Sequence, residues 1–120
     1  MRIFKNMWFS RYAAKEGIQD NELRDIVNVL ESGQAEANLG GGVYKVRLAR
    51  SGEGKSGGYR IIVVFRSGDR TFFRYGFAKS SRAAISEKEE RNHKRTAKVL
   101  LSLNDEQLDA LVKTGYHTEL

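Results

Sequence analysis

The first apolar residues of the chain recur at intervals of three and four, the spacing that places side chains on one face of an α-helix. They are Trp8, Phe9, Tyr12 and Ala13. We therefore predict a helix over residues 7–16 that ends near Gly17. A short opening strand is predicted before it, at residues 2–5.

A second helix has the clearest amphipathic pattern in the chain. Its apolar residues are Leu23, Ile26, Val27 and Leu30, which follow one helical stripe. Asp20 is the predicted N-cap, because its carboxylate can accept a hydrogen bond from the first turn. Gly33 is placed where a glycine commonly ends a helix in a left-handed backbone conformation.

The period of the pattern changes from helical to alternating after three consecutive glycines at residues 40–42. Apolar residues then alternate with two cations, in the order Tyr44, Lys45, Val46, Arg47 and Leu48. Successive side chains of a strand point to opposite faces of a sheet. The segment is therefore predicted to be a strand with one apolar and one basic face.

A hairpin is predicted from two further strands. Residues 59–66 have a centre, Ile61 to Phe65, that is apolar on both faces and indicates a strand covered on both sides. Residues 67–69 form a Ser-Gly-Asp turn into a strand over residues 71–79. That strand is rich in aromatic residues, which we expect to pack in the core. The alternative is a stacking platform for RNA bases; the rings are Phe72, Phe73, Tyr75 and Phe77.

The last third of the chain predicts two helices, ending near Ser102 and Gly115. Each begins with a capping box, Ser86 with Glu89 and Asn104 with Gln107. The order of elements, β-α-α-β-β-β-α-α, is typical of one α+β domain over residues 1–120. We expect a small antiparallel sheet of about four strands. The two N-terminal helices should cover one face, and the two C-terminal helices should lie at the edge or over the other face.

Composition narrows the possible classes of protein. The chain has no cysteine, which excludes disulfides, thiolate metal sites and cysteine nucleophiles and agrees with a cytosolic protein. No stretch approaches the roughly 20 apolar residues of a membrane span. Residues 1–10 also lack the apolar run of a signal peptide. We therefore expect a cytoplasmic protein that does not associate with membranes.

Positive charge is concentrated in residues 43–82, which contain ten basic and two acidic residues. The whole chain has a formal net charge of +6, so the remainder is slightly acidic. A sheet with this concentration of cations suits a polyanion, of which nucleic acid is the commonest. The basic residues are Lys45, Arg47, Arg50, Lys55, Arg60, Arg66, Arg70, Arg74, Lys79 and Arg82.

Three motifs that could suggest other chemistry have simpler interpretations. Residues 54–56 read Gly-Lys-Ser, like the end of a phosphate-binding P-loop. That motif requires a glycine five positions before Gly54, where this chain has Ala49, and it must open a helix, whereas a strand is predicted to follow here. His93 and His117 are far apart and lack carboxylate neighbours, so we expect solvated histidines and no metal site. Three glutamates at a helix start complement its dipole; they are Glu87, Glu89 and Glu90.

Strand alternation sorts the candidate site residues by face. Lys45 and Arg47 point to the same side. Arg60 joins them only if the strand register places it there, which the sequence leaves open. It follows a glycine-rich connection, where we do not expect a buried role. A solvated sheet face is the alternative for Lys45 and Arg47. Arg66, Arg70 and Arg82 are expected to be surface charges.

Three segments together resemble the RelE/ParE toxin superfamily, most closely its HigB-like RelE branch. They are Val43 to Arg50 with its Tyr-Lys-Val-Arg motif, Gly54 to Arg60 with Gly-Lys-Ser-Gly-Gly-Tyr-Arg, and Tyr75 to Arg82 with Tyr-Gly-Phe-Ala-Lys. The resemblance covers most of the chain. It implies a toxin of a bacterial type II toxin–antitoxin pair, a hydrolase that cuts mRNA in the ribosomal A site and stops translation. It implies neither a metal nor another cofactor.

The resemblance also implies site residues, carried over by position. Lys45, Arg47 and Arg60 match the catalytic cations, with Arg60 suited to stabilising charge on the phosphate and Lys45 to acting as base. RelE has an arginine and then a tyrosine after its last strand, but this chain has no tyrosine near residues 85–86. Lys79, Arg82 or Lys55 could take over that role. The cations that we expect to bind RNA are Arg50, Lys55, Arg74, Lys79 and Arg82.

Partners follow from the same resemblance. It implies an antitoxin of the helix-turn-helix type, besides the ribosome and mRNA, with DNA bound only through the antitoxin complex. The antitoxin could dock by charge complementarity on the basic surface. It could instead use the apolar side of the terminal helices, formed by Leu103, Leu108, Leu111 and Val112. Two other functions stay open, a ParE-like gyrase poison and a non-catalytic RNA-binding module; the basic cluster favours the nuclease.

Overall fold

The computed structural model describes residues 1–50 and 57–120, which form four helices and a six-stranded sheet. The α+β class and the predicted order of the longer elements are confirmed. In chain order the elements are β1 (Arg2–Asn6), α1 (Met7–Glu16), α2 (Asp20–Glu31), β2 (Ala37–Gly40), β3 (Val43–Leu48), β4 (Tyr59–Arg66), β5 (Arg70–Ala78), α3 (Glu87–Ser102), α4 (Asp105–Lys113) and β6 (His117–Glu119).

The strands lie in the order β2-β3-β4-β5-β1-β6. The sheet has six strands instead of about four, because β2 and β6 add one short strand at each edge. These strands have four and three residues, too few to display an alternating pattern. The sheet is also mixed, since β1 pairs with β5 in parallel while the other pairs are antiparallel.

The two N-terminal helices cover one face of the sheet, as predicted. Their apolar stripes pack against side chains of β3, β4 and β5, including Val46, Ile61 and Phe73. The N-cap of α2 is Gln19 and not Asp20. The Glu22 carboxylate accepts a hydrogen bond from the backbone N–H of Gln19 at 2.9 Å, while the Asp20 carboxylate pairs with Lys5 Nζ at 3.0 Å. The helix-side members of this core are Phe9, Ala13, Leu23, Ile26, Val27 and Leu30.

The two C-terminal helices cover the other face, which settles the alternative left open above. The central strand β4 is therefore covered on both sides, as predicted. Leu108 of α4 is buried, and Leu103, Leu111 and Val112 pack beside it on the same core. The apolar side of these helices thus faces the sheet, with Leu103, Leu111 and Val112 only partly buried, and docking of an antitoxin on it stays a prediction. Both capping boxes are present.

Arg70 is buried, which corrects its expected place among the surface charges. Its Nη1 donates to the carbonyl oxygens of Leu100 at 3.0 Å and Leu103 at 2.6 Å. Carbonyls at the end of a helix lack intrahelical donors, and the guanidinium supplies them at the end of α3. Among the described helices, none has the length and apolar content to cross a membrane.

Candidate active site

The register of β3 and β4 brings the three predicted catalytic cations to one face of the sheet. Arg47 lies directly opposite Arg60, and Lys45 lies opposite Ile62. Residues that face each other across antiparallel strands project to the same side. The question left open by the sequence is therefore answered: Arg60 joins Lys45 and Arg47.

These cations lie on the same face as the apolar core under α3 and α4, at the next positions along β3 and β4. Val43 and Ile62 pack under α3 and α4. The next positions on the same side of the two strands are Lys45 on β3 and Arg60 on β4. The sheet thus changes from a helix-covered apolar surface to a basic one within a single step along each strand.

One carboxylate binds all three cations. Glu36 lies in the connection between α2 and β2, and its Oε1 is 2.8 Å from Arg47 Nε and 3.1 Å from Arg60 Nε. Its Oε2 is 3.4 Å from Lys45 Nζ. Sequence analysis did not identify Glu36. The pairing of β2 with β3 sets Ala37 opposite Lys45, and this brings the preceding Glu36 to the cluster. The pattern of apolar and polar residues in β2 is too weak for this strand to be predicted.

The three cations are buried to different extents. Arg60 is only 3% exposed, although a buried role was not expected for it. It is buried because it belongs to the central strand β4, and its Nη1 also donates to the carbonyl oxygen of Tyr59 at 3.3 Å. The side chain of Arg47 is 47% exposed and that of Lys45 is 26% exposed. Solvent therefore reaches the site through these two residues.

Glu36 keeps its negative charge in this setting. Burial alone would raise the pKa of Glu36, whose side chain is 15% exposed. The hydrogen bond from Arg47 and the charges of Lys45 and Arg60 outweigh burial and hold that pKa below its usual range. The cluster therefore carries three positive charges and one negative charge at neutral pH, a net positive potential suited to phosphate.

Two of the predicted RNA-binding cations, Arg50 and Lys79, follow the ends of β3 and β5 that lie nearest to Arg47 and Arg60. The Arg50 guanidinium lies over the ring of Tyr59, 5.5 Å from its centroid, and its Nη1 is 3.5 Å from Ser80 Oγ. Lys79 is exposed directly after β5. Lys55, with the Gly-Lys-Ser motif that contains it, lies outside the described residues.

Arg82 holds a tyrosine on the same face as the catalytic cations. Its Nη1 donates to the hydroxyl of Tyr75 at 2.9 Å, and its Nη2 pairs with Glu89. The hydrogen bond to Glu89 raises the pKa of Arg82, so the guanidinium stays charged. Tyr75 is the partner of Ile62, which is the partner of Lys45. The sequence has no tyrosine near residues 85–86, after β5, but Tyr75 within β5 lies on the same face as the predicted catalytic cations.

Arg74 occupies a different environment from the other predicted RNA contacts. It is half-buried at an irregularity in the β4–β5 register, and its Nε donates to His93 Nδ1 at 3.1 Å. Burial lowers the pKa of Arg74. This placement favours packing against α3 over the RNA contact that the sequence predicts.

Both histidines are half-buried and not solvated as expected. Burial, and next the charge of Arg74, lower the pKa of His93 to about 4, with Glu89 opposing. The same two causes lower the pKa of His117. His93 is half-buried because α3 packs on the core that includes β5. His117 is half-buried because it begins β6, which pairs with β1, the neighbour of β5. Within residues 1–50 and 57–120, no group of three or more acidic or histidine side chains is arranged to hold a metal ion.

Comparison with known proteins agrees with this architecture. A family model described as the RelE toxin of the RelE/RelB toxin–antitoxin system matches residues 1–120. A search of curated proteins finds no match. The family match extends over the whole sequence and includes the strands that carry Lys45, Arg47 and Arg60. The chain therefore belongs to the RelE family of toxins, the toxic members of toxin–antitoxin pairs.

Proposed function

We propose that this toxin is a metal-independent endoribonuclease that cuts mRNA in the A site of the ribosome and so inhibits translation. The observation that carries the proposal is the convergence of Lys45, Arg47 and Arg60 on one face of the sheet, within bonding distance of a single carboxylate. RelE-family membership supports the same activity. The finer resemblance to the HigB branch remains part of this proposal.

The reaction has three chemical requirements. The 2′-hydroxyl of a nucleotide attacks the adjacent phosphorus and loses its proton to a base. The bond to the 5′-oxygen breaks, and that oxygen receives a proton from an acid. Between these events the phosphoryl oxygens carry extra negative charge, which positioned cations stabilise. The products are a 2′,3′-cyclic phosphate and a 5′-hydroxyl.

Arg60 and Arg47 are suited to the charge on the phosphate. A guanidinium stays protonated and binds phosphate oxygens through paired N–H donors. Arg47 is the exposed member and makes the direct contact. Arg60 is the buried member, and its charge acts more strongly because less water screens it.

Lys45 is the proposed base. A lysine crowded by other cations can lose its proton near neutral pH and serve as a base, whereas the structure sets Glu36 Oε2 at 3.4 Å from the ammonium group of Lys45. A carboxylate at this distance stabilises the charged form of a lysine. The role therefore requires Lys45 to separate from Glu36 when the RNA phosphate reaches the cluster. Arg50, Lys55, Lys79 and Arg82 are proposed to bind the flanking RNA.

The partner of a RelE-family toxin is its antitoxin. We propose one of the helix-turn-helix type, which docks on the basic face by charge complementarity and carries the only DNA contact of the complex. The ribosome and mRNA are the proposed targets, which places the activity in the cytoplasm.

Cell-free translation with the purified protein tests this function, with mRNA ends mapped by primer extension. We expect cuts within codons that require ribosomes and are lost in Arg60→Ala. Intact mRNA under all conditions would contradict a nuclease. Cutting of mRNA without ribosomes would contradict the A-site mechanism.

A further inference from the structure

A cleft of about 390 Å³ lies between α1 and the C-terminal part of β5. Its volume is within the range of roughly 300–1,000 Å³ that is usual for small-ligand sites. Three aromatic and three basic side chains are among those that line it. They are Trp8, Tyr12 and Tyr75, with Lys15, Arg50 and Arg82.

The cleft exists because β1 is shorter than β5. The two strands pair only as far as Phe73, so the following residues of β5 have α1 instead of a strand along that edge. Tyr12 packs directly on Gly76, where a Cβ atom would lie 2.9 Å from the tyrosine ring. The floor of the cleft is therefore a close and specific contact between helix and strand.

Trp8 lines the opening of this cleft. Its ring centroid is 5.0 Å from that of Tyr12 and 4.4 Å from that of Tyr75, yet 43% of the residue is exposed. An exposed tryptophan packed against two partly buried tyrosines is a feature typical of a binding surface.

Cations alternate with these rings. The Arg82 guanidinium lies 5.8 Å from the ring centroid of Tyr75 and 5.7 Å from that of Phe77, and Lys15 is exposed on α1. Glu16 also lines the cleft, but its carboxylate accepts a hydrogen bond from Tyr59 at 2.9 Å. Aromatic rings interleaved with arginine and lysine are the usual platform for single-stranded nucleic acid.

The cleft is lined by Phe77 of β5, two strands away from Arg47 of the candidate active site. Phe77 faces Arg60 across β4 and β5, and Arg60 faces Arg47 across β3 and β4. Neighbouring strands lie about 4.8 Å apart, so the row from Arg47 to Phe77 extends about 10 Å. An RNA strand bound along this row brings the nucleotide beside the scissile phosphate to the cleft.

We infer that this cleft binds a nucleobase of the single-stranded RNA, next to the phosphate held by the basic cluster. The inference rests on the proposed nuclease function for its substrate. The base contacts the exposed part of the Trp8–Tyr75 row, while Lys15 and Arg50 bind the adjoining phosphates. An acidic peptide would match the charges but makes no use of a nucleobase-sized aromatic row beside a phosphate site.

Trp8 is the only tryptophan of the chain, so its fluorescence reports on the cleft directly. The test is a titration of the purified protein with a short 2′-O-methyl oligoribonucleotide, which cannot be cleaved, and with an abasic strand of equal length. We expect saturable quenching by the strand with bases and little by the abasic strand. Base stacking on an aromatic ring predicts about tenfold weaker RNA binding for Trp8→Ala, measured by anisotropy of a labelled strand.

Control variants separate binding from folding. Trp8→Phe keeps a ring and should bind more tightly than Trp8→Ala, and Lys15→Glu, at an exposed position, should weaken binding without altering the thermal midpoint. Tyr116→Ala removes a ring that is 64% exposed and lies outside the cleft, and should bind RNA as the unaltered protein does.

The outcomes also distinguish this inference from the nuclease proposal. Equal responses to both strands, or no response to either, would overturn the base site even if ribosomes still support cutting. Base-dependent quenching without any mRNA cutting would support the base site and contradict the nuclease. A response to an acidic peptide but not to RNA would assign the cleft to a protein partner and overturn the inference.

Discussion

The Nε atom of Arg60 lies 3.1 Å from Oε1 of Glu36, which joins a buried cation on the central strand to a carboxylate from the connection before β2. Like charges directly opposite each other on neighbouring strands destabilise a sheet, and Arg47 faces Arg60 in this way. Glu36 offsets that repulsion and orients both guanidinium groups by their Nε atoms. The site is therefore assembled before RNA binds.

Replacing this carboxylate should weaken both stability and activity. We expect Glu36→Gln to lower the free energy of unfolding by about 1–3 kcal/mol, because a buried arginine loses a charged acceptor. Urea denaturation measures the change. Cutting should also slow, because the guanidinium groups lose their common anchor.

Asp25→Asn is the matched control, since it removes an acidic charge from an exposed position of α2. It should leave both the unfolding midpoint and the cutting rate close to those of the unaltered protein. A Glu36→Gln protein as stable as this control would show that the carboxylate does not hold the cluster together.

Stability should fall as the pH drops from about 6.5 to about 4. His93 has a folded-state pKa of about 4 against its ordinary value of 6.5, so the unfolded chain takes up a proton first over this interval. A depressed pKa therefore contributes stability that is complete above about pH 6.5 and lost toward pH 4. Thermal midpoints recorded across this interval provide the measurement.

His93→Gln identifies the group responsible. The variant should show a shallower decline between pH 6.5 and about 5, where the unfolded carboxylates are still ionised, with the rest there due to His117, whose pKa is lowered in the same direction. Below about pH 5 the carboxylates of Glu36 and Glu119, whose pKa is also lowered, add to the decline. The pKa of Glu89 is about 2 against an ordinary value of 4.5, so the stability that this carboxylate contributes is lost only as the pH falls below about 5. An identical decline in both proteins would exclude His93 as the source.

Gly58 should tolerate no side chain. A Cβ atom there would lie 2.2 Å from the carbonyl oxygen of Leu48 and 2.9 Å from the backbone nitrogen of Arg50, and backbone atoms cannot move aside as a flexible side chain can. We expect Gly58→Ala to cost about 3 kcal/mol or more and to abolish cutting, since Arg60 follows two residues later.

Gly68→Ala provides the comparison for this variant. Gly68 has a positive φ of 69° but open space around it, so only the backbone conformation is penalised, by about 1 kcal/mol. Urea denaturation of both variants gives the difference. Equal costs would show that close approach at Gly58 is not limiting.

The parts of the fold that could be predicted are those with a strong local signal. The alternation of Lys45 and Arg47 with apolar residues placed both on the polar side of a strand. The two capping boxes located α3 and α4 because their hydrogen bonds join residues only three apart. The candidate cations were found from charge and from resemblance to a family, neither of which depends on distant contacts.

The rest depends on contacts between residues far apart in sequence. Glu36 reaches the cluster only through an edge strand of four residues. Arg60 is buried because it belongs to the central strand β4. The apolar run that follows it predicted a covered strand, but a charged residue beside a glycine-rich connection gave no sign that it shares this burial. Trp8 has the spacing of a core residue but is exposed because β1 stops short of the end of β5. Periodicity reports which side of an element is apolar, and not what covers it.

The single-turnover rate of mRNA cleavage on ribosomes with a defined A-site codon tests the central claim most directly. Arg60→Ala should cut about 10²- to 10³-fold more slowly, while Arg24→Ala, which removes an exposed arginine of α2, should cut at the rate of the unaltered protein. An mRNA with a 2′-deoxy sugar at the scissile nucleotide should stay intact. Equal rates for the two variants, or cutting of the deoxy substrate, would contradict catalysis by this cluster.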